Sequence, residues 1–402
     1  MAQPTFLIFV DATDNHNKFY NMYPQGNSFK VEYGRVGGKE NVVNYPMCDW
    51  EKKLHEKLKK GYIDVSSTRQ SVIVATQTVQ FKPIEDSKIN EIVTSLIKMA
   101  KDAVEKNYTI KTTDVTEEMI DNAQSIIDDL VNETVVFKFN NKLEKLFSIL
   151  PRKMKSVGDY LVSDASKFTS VIQREQSILD VMRGQVRTAD SIKADANNNS
   201  QNVLEANGLK MTVATDDEVK EILSLMSKES AHHFSRAWRV VNEKTQERFD
   251  KFVKDNNIKD IRCFFHGSRN ENFWSILKTG LVLRPTNAVI TGKLLGYGCY
   301  FAPRCKKSIG YTSLQGSYWA SGNSNKAYMA IFETAYGNPL HLYKDASKYG
   351  NFTYEKLKAV DKNADCIHAH KGASMGYSPL QNDEIVFYKE DQMTIKYLVE
   401  IK

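Results

Sequence analysis

From Thr5 to Tyr45, short apolar and aromatic runs (TFLIFV, KFYNMY, SFKVEYGRV, NVVNY) alternate with Asp-Asn-His-Asn, Pro-Gln-Gly-Asn and Gly-Gly breaks. β-Branched and aromatic residues fit strands while Asn, Gly and Pro fit turns, so this stretch predicts an antiparallel meander. Trp50, Leu54 and Leu58 then recur at i, i+4 and i+8, predicting a helix over Asp49 to Lys60 that stops at Gly61. Ser66 to Asp86 holds a polar break and Pro83 and reads as a connector whose middle is a candidate strand. Between Ser87 and Gly184 the period becomes helical. Ile89, Ile92, Val93, Leu96, Ile97 and Ala100 share one face, as do Leu143, Leu146, Phe147 and Leu150 ahead of Pro151. Gln185 to Leu209, with ADANNNSQN, has no period and is expected to be a flexible linker. From Lys210 the pattern reads as a strand (KMTVAT), a helix capped by Asp216 or Asp217, then strands and Gly-rich loops. EIVFY and TIKYLVEI are expected as adjacent central strands. The expected fold class is multidomain α+β: a small sheet-plus-helix domain, an all-α bundle and a larger α+β domain.

Composition narrows the function classes. The chain has 402 residues, which at about 150 per domain gives two or three domains. A hydrophobic share of 41% with 26% charged residues, at a mean hydropathy of −0.46, excludes a disordered or fibrous chain. No run approaches the roughly 18 to 20 apolar residues of a membrane span, and MAQPTFLIFVDATD lacks a basic signal-peptide start, so an intracellular, non-membrane protein is expected. The net charge of +6 permits a nucleic-acid partner without requiring one. Cysteines 48, 263, 299, 305 and 366 form an odd set with no CxxC pair, which supports neither a disulfide framework nor a structural zinc site. Cys366, His368 and His370 alternate as C-x-H-x-H and would share a strand face, but a closed zinc site wants four ligands and the sequence offers no fourth nearby. Ordinary strand residues are the preferred reading, and no metal is expected.

Three segments carry chemistry: CFFHGSRNENFWSILKTGL (263–281), TGKLLGYGCYFAPRCKKSIGYTSLQG (291–316) and QNDEIVFYKEDQMTIKYLVEIK (381–402). His-Gly-Ser after an apolar strand sets backbone amides beside an imidazole and a hydroxyl, suited to clamping a polar ligand. Gly296-Tyr297-Gly298 opens like a dinucleotide fingerprint, but Phe301 stands where the third glycine belongs. Glu384 heads an apolar run; taken alone, it reads as a solvated strand-end carboxylate rather than one facing a cleft.

In this order the segments closely resemble the poly(ADP-ribose) polymerase catalytic domain: HGS, then G-x-G-x-Y-F-A with K-S-x-x-Y, then Glu384 twelve residues before KYL. VEYGRVGGKENVVNY with its following helix resembles the family's WGR domain, KLEKLFSILPRKM its helical regulatory domain, and WRVVNEKTQERFDKF the helix before the HGS strand. The resemblance implies a WGR-like DNA-sensing domain at 1–80, a helical regulatory domain at 87–184, a linker at 185–209 and an ADP-ribosyltransferase domain at 210–402. It further implies that Gly267 holds the nicotinamide carboxamide of NAD+ through its backbone and Ser308 through its hydroxyl, while Tyr311 stacks on the ring. His266 would bond the adenine-proximal ribose, with Ser268 and Asn272 on the adenosine side. Tyr300 completes the His-Tyr-Glu triad, and Glu384 would bond the nicotinamide-ribose 2'-hydroxyl and orient the acceptor. The chemistry suits those residues, because breaking the C1'–N bond builds oxocarbenium-like charge that a carboxylate stabilises. NAD+ is then a substrate, and no metal is needed.

Two departures stand out. Val282 replaces a basic residue that family members often direct at the adenosine, with Arg284 two positions on, and Tyr33 stands where the WGR motif has Trp. Tyr33 and Arg35 are the implied DNA contacts, with Arg35 meeting a phosphate or bridging to the next domain. Lys52, Lys53, Lys57, Lys59 and Lys60 give the first helix a basic side. The implied function is a DNA-break-stimulated polymerase that extends ADP-ribose on protein acceptors including itself, nuclear in a eukaryote and otherwise cytoplasmic. Mono-ADP-ribosyl transfer and a catalytically silent DNA-end-binding scaffold are the alternatives. Glu384 favours elongation, since members limited to one unit commonly lack that carboxylate.

Overall fold

The computed structural model describes residues 2–66, 81–108, 115–194, 201–283, 295–318, 320–343, 349–350, 352–372 and 380–402, with side chains placed to residue 184 of the helix that ends at Ala194. The chain divides into two compact units: residues 1–78 with 102–190, and residues 79–101 with 191–402. The divide falls within two helices, Ser87–Asn107 and Phe168–Ala194.

In the first unit, β1 (Thr5–Asp11), β2 (His16–Gln25), β3 (Ser28–Arg35), β4 (Glu40–Pro46) and the short β5 (Ile63–Asp64) form an antiparallel sheet in the order β4-β3-β2-β1-β5. The expected meander is present. Leu7, Met22, Phe29 and Val31 are fully buried beneath helix Trp50–Lys59, whose Trp50 ring meets Phe29 edge-on at 5.0 Å; each such side chain contributes about 1.5–3 kcal/mol. The candidate strand in the Ser66–Asp86 connector lies largely outside the described residues.

Helices Glu117–Val131, Val136–Ile149 and Phe168–Ala194 complete this unit. Thr116 caps the first, accepting from Met119 N at 3.1 Å. The apolar face of Leu143, Leu146, Phe147 and Leu150 read from the sequence is buried, and so is that of Ile89 to Ala100 except for the half-buried Ile97. The expected linker start at Gln185 is corrected: the backbone stays helical to Ala194, because QVRTADSIKA contains no Gly or Pro and is rich in helix formers.

The second unit holds two sheets. β6 (Leu209–Val213), β7 (Phe234–Asn242), β8 (Ile261–Gly267), β10 (Ala327–Ala335) and β14 (Met393–Ile401) make a five-stranded sheet in the order β6-β7-β14-β10-β8. β9 (Cys299–Phe301), β11 (Pro339–Leu342), β12 (Cys366–Ala369) and β13 (Glu384–Phe387) make a four-stranded one, β11-β12-β13-β9. EIVFY and TIKYLVEI are therefore in different sheets rather than adjacent. Between them Gln392, fully buried, accepts from Tyr388 N and Lys389 N and donates to Asp365 O, turning the chain from one sheet to the other. Helix Asp216–Met226 is capped by Thr215 rather than by an Asp, through a capping box with Glu218. The start of helix Ser87–Asn107 belongs to this unit, where Glu91 reaches Arg236 at 3.1 Å and Arg236 reaches Glu400. Among the described residues no helix is long and apolar enough to cross a membrane.

Candidate active site

β8 is an edge strand, paired with β10 on one side only (Ala330 opposite His266, Met329 opposite Gly267). On its other side Phe265 exchanges two backbone hydrogen bonds with Ala302, each 3.0 Å. Strand alternation turns the N–H and C=O of Gly267 to that same open side, where they can pair with a planar amide as a further strand would. Gly267 cannot carry a side chain, since a Cβ would fall 1.9 Å from Ser308 O. That close approach brings helix Cys305–Ile309 onto the strand end, with Ser308 buried and its hydroxyl donating to Phe265 O at 3.1 Å. The hydroxyl oxygen keeps lone pairs for a ligand.

His266 bonds Tyr300 O through Nδ1 at 3.1 Å, which makes Nδ1 the donor and leaves Nε2 as an acceptor. Burial lowers its pKa below the ordinary imidazole value, so the ring is neutral at pH 7. The Tyr300 hydroxyl accepts from Leu295 N at 3.1 Å and donates to Gly296 O at 2.9 Å. The loop thus fixes the ring, and it needs Gly296, whose φ is +81° and whose Cβ would strike Phe352. Gly298 is required as well, since its Cβ would fall 2.2 Å from Val386 Cγ1, which accounts for the glycine pair without a dinucleotide fingerprint.

Glu384 heads β13 and is 6% exposed, so the solvated strand-end reading is corrected: the carboxylate is inside. One oxygen, Oε1, pairs with the buried Lys307 Nζ. The other, Oε2, has no hydrogen-bond partner among the described residues. Burial first and the Glu384 charge second push the Tyr311 phenol up to about 12. Burial also drives Tyr300 well above its ordinary value, with Glu384 adding to the rise. The Glu384 carboxylate is therefore paired with Lys307 and acts on the phenols of Tyr300 and Tyr311. Such an acid, with one oxygen held and one open, can stabilise positive charge developing on a sugar and accept a hydrogen bond from its hydroxyl. Lys307 was not singled out from the sequence, although it stands in the K-S-x-x-Y motif. A buried carboxylate demands a cation, but the burial of Glu384 shows only in the fold, so the sequence carried no signal for Lys307.

Asn272 donates to Ser268 Oγ at 2.9 Å, and its own Oδ1 is buried with no partner among the described residues. Val282 is partly exposed; Arg284 lies outside the described residues. In the first unit Tyr33 is exposed on β3, 6.0 Å from the Tyr20 ring. Arg35 is committed to carbonyls: Nη1 donates to Asn15 O at 2.7 Å, and Nη2 to Asn15 Oδ1 at 3.0 Å, Lys155 O at 3.0 Å and Met154 O at 3.3 Å. Lys57 lies 4.1 Å from the Tyr20 ring centre, its pKa lowered by burial and by Lys60, Lys53 and Lys18.

Residues 216–402 match the poly(ADP-ribose) polymerase catalytic domain, and residues 3–69 match the WGR domain. Invertebrate iridescent virus 6 supplies two similar proteins. Its putative poly [ADP-ribose] polymerase-like 100L is 31% identical over 170 residues, covering 41% of this chain and 84% of the viral protein. The chain belongs to the poly(ADP-ribose) polymerase family. The second viral relative, uncharacterized protein 101L, is 31% identical over 202 residues, covering 49% of this chain and 82% of its own length. Poly [ADP-ribose] polymerase 1 of Gallus gallus is 23% identical over 430 residues, covering 98% of this chain but 39% of the avian protein. As a member of the poly(ADP-ribose) polymerase family, the chain carries the catalytic domain of an NAD+ ADP-ribosyltransferase.

Proposed function

We propose that this protein cleaves NAD+, places ADP-ribose on protein acceptors including itself, extends it into polymer, and is stimulated by DNA strand breaks. The observation that carries the reading is the buried Glu384, held at Oε1 by Lys307 and open at Oε2. In it the Gly267 backbone and the Ser308 hydroxyl take the carboxamide, Tyr311 covers the nicotinamide ring beside Tyr300, and His266 Nε2 accepts from the adenine-proximal ribose. Ser268 and Asn272 serve the adenosine side. Glu384 Oε2 meets the 2'-hydroxyl and orients the attacking group while nicotinamide departs. Domains at 1–80, 87–184 and 210–402 act as sensor, regulator and transferase. Tyr33 and the lysines around Lys57 supply the DNA surface, and Arg35 acts as the bridge rather than the phosphate contact, because both of its η nitrogens already serve carbonyls. Action on DNA ends favours a nuclear address in a eukaryotic cell.

The test is NAD+ turnover by the full chain with and without nicked or blunt-ended DNA, with products sized on a denaturing gel. DNA-dependent turnover yielding long polymer supports the proposal. A single added unit replaces it with mono-ADP-ribosyl transfer, and absence of turnover with intact DNA binding replaces it with the scaffold.

A further inference from the structure

The parallel pairing of β11 with β12 places His341 directly opposite His368. The ladder runs on beyond β12, where His370 N donates to Leu342 O at 2.9 Å, fixing a third imidazole beside the first two. The ring nitrogens of His341, His368 and His370 lie within 4.8 Å of one another. His341 Nδ1 is 2.9 Å from His370 Nε2, and the rings of His368 and His370 stack at 4.2 Å. A carboxylate completes the group. Asp383 Oδ2 lies 3.4 Å from His368 Nε2 and 3.7 Å from His370 Nδ1, while the Lys371 amide donates to Asp383 Oδ1 at 2.9 Å. Behind His368, the Tyr336 hydroxyl meets Nδ1 at 2.7 Å.

We infer that His341, His368, His370 and Asp383 form a binding site for a divalent transition-metal ion, zinc above all. Three imidazoles and one carboxylate are a donor set that zinc accepts in tetrahedral geometry, whereas calcium and magnesium favour oxygen. With one nitrogen from each histidine, the three imidazole donors lie within 4.8 Å of one another, and side-chain rotation can draw them to the roughly 3.3–3.6 Å separations of tetrahedral donors about 2.0–2.2 Å from one ion. The main chain already holds the four residues in reach, so only side-chain rotation is needed; His370, with a nitrogen toward each neighbour, can present either. The Tyr336 hydroxyl orients His368 from the second layer, as partners of metal-bound imidazoles do. Bound metal would join β11, β12 and the residue that precedes Glu384.

The full chain, stripped with chelator, is titrated with zinc and with cobalt. Stoichiometric binding, a raised melting temperature and the intense visible bands of tetrahedral cobalt are expected. His341→Ala and His370→Gln should abolish all three while melting like the wild type without metal. Tyr336→Phe should weaken binding by about 10–100-fold. X-ray absorption on the unmutated zinc form gives an answer independent of variant folding: nitrogen and oxygen donors at about 2.0–2.2 Å support the site, and sulfur at about 2.3 Å overturns it. Failure to bind zinc, or equal binding by the folded variants, also overturns it.

Discussion

Arg152 with Glu175 in the first unit and Lys307 with Glu384 in the second are both buried ion pairs, but they end differently. Glu175 has an ion-pair contact at each oxygen, Arg152 Nη2 at 2.6 Å from Oε2 and Arg174 Nη2 at 3.0 Å from Oε1, although Oε2 and Arg152 Nη1 make no hydrogen bond among the described residues, and the Arg152 guanidinium lies 5.2 Å from the Tyr108 ring and 5.5 Å from Phe147. Glu384 has one oxygen on a lysine and one without a partner. Desolvating a carboxylate is costly, so a structural pair encloses its acid with cations and rings, whereas a pair intended for chemistry leaves one acceptor for a substrate. Arg suits the first task with its planar fork, and Lys, a point charge, the second.

The largest effect that separates the two is on stability. Arg152→Ala leaves Glu175 buried with Arg174 alone, and denaturant unfolding should show a loss of about 3–5 kcal/mol. A loss below 1 kcal/mol would mean that water replaces the guanidinium. Glu384→Gln should act on rate instead. NAD+ turnover is expected to fall about 10²–10³-fold, with NAD+ binding and melting temperature nearly unchanged; long polymer at the wild-type rate would make this carboxylate a bystander. Tyr311→Ala removes a ring worth about 0.5–1.5 kcal/mol of stacking, so KM for NAD+ should rise roughly 2- to 10-fold with kcat less affected. Arg35→Ala should leave DNA affinity and its salt slope intact while DNA stimulation falls; a log-log slope smaller by about one would restore the phosphate role. The smallest effect concerns His266. Its pKa is lower folded than unfolded, so the unfolded chain binds more protons below about pH 6.5 and stability declines as pH drops from there. Unfolding free energies at pH 7.5 and 5.5, compared with His266→Ala, measure that slope.

The sequence made local features legible. The meander, the helix over Trp50–Lys59 and the apolar faces of the bundle follow from periodicity. The choice of His266, Gly267, Ser308 and Glu384 as candidates followed from motif order. What it could not show was long-range pairing. Glu384 looked solvated because nothing in EIVFY announces a lysine 77 positions away on another element. EIVFY and TIKYLVEI looked adjacent because Gln392's three hydrogen bonds, which send them to separate sheets, are invisible in a pattern of apolar runs. His341 escaped notice beside His368 because parallel strands join residues far apart in the chain. Gln185 to Ala194 was misread because its polar composition resembled that of the tract behind it, although its helix propensity did not.

The Arg35 clasp has an evolutionary consequence. It grips the main-chain carbonyls of Met154 and Lys155, and of Asn15 it uses the carbonyl as well as the side chain. Carbonyl oxygens are the same whatever residue bears them, so side chains at 154 and 155 can drift without loosening the guanidinium's hold. Alanine scanning along that segment would pass over the contact. Only changes that displace the backbone itself, an inserted residue or a proline that redirects the chain, would reveal that two parts of the first unit are fastened there.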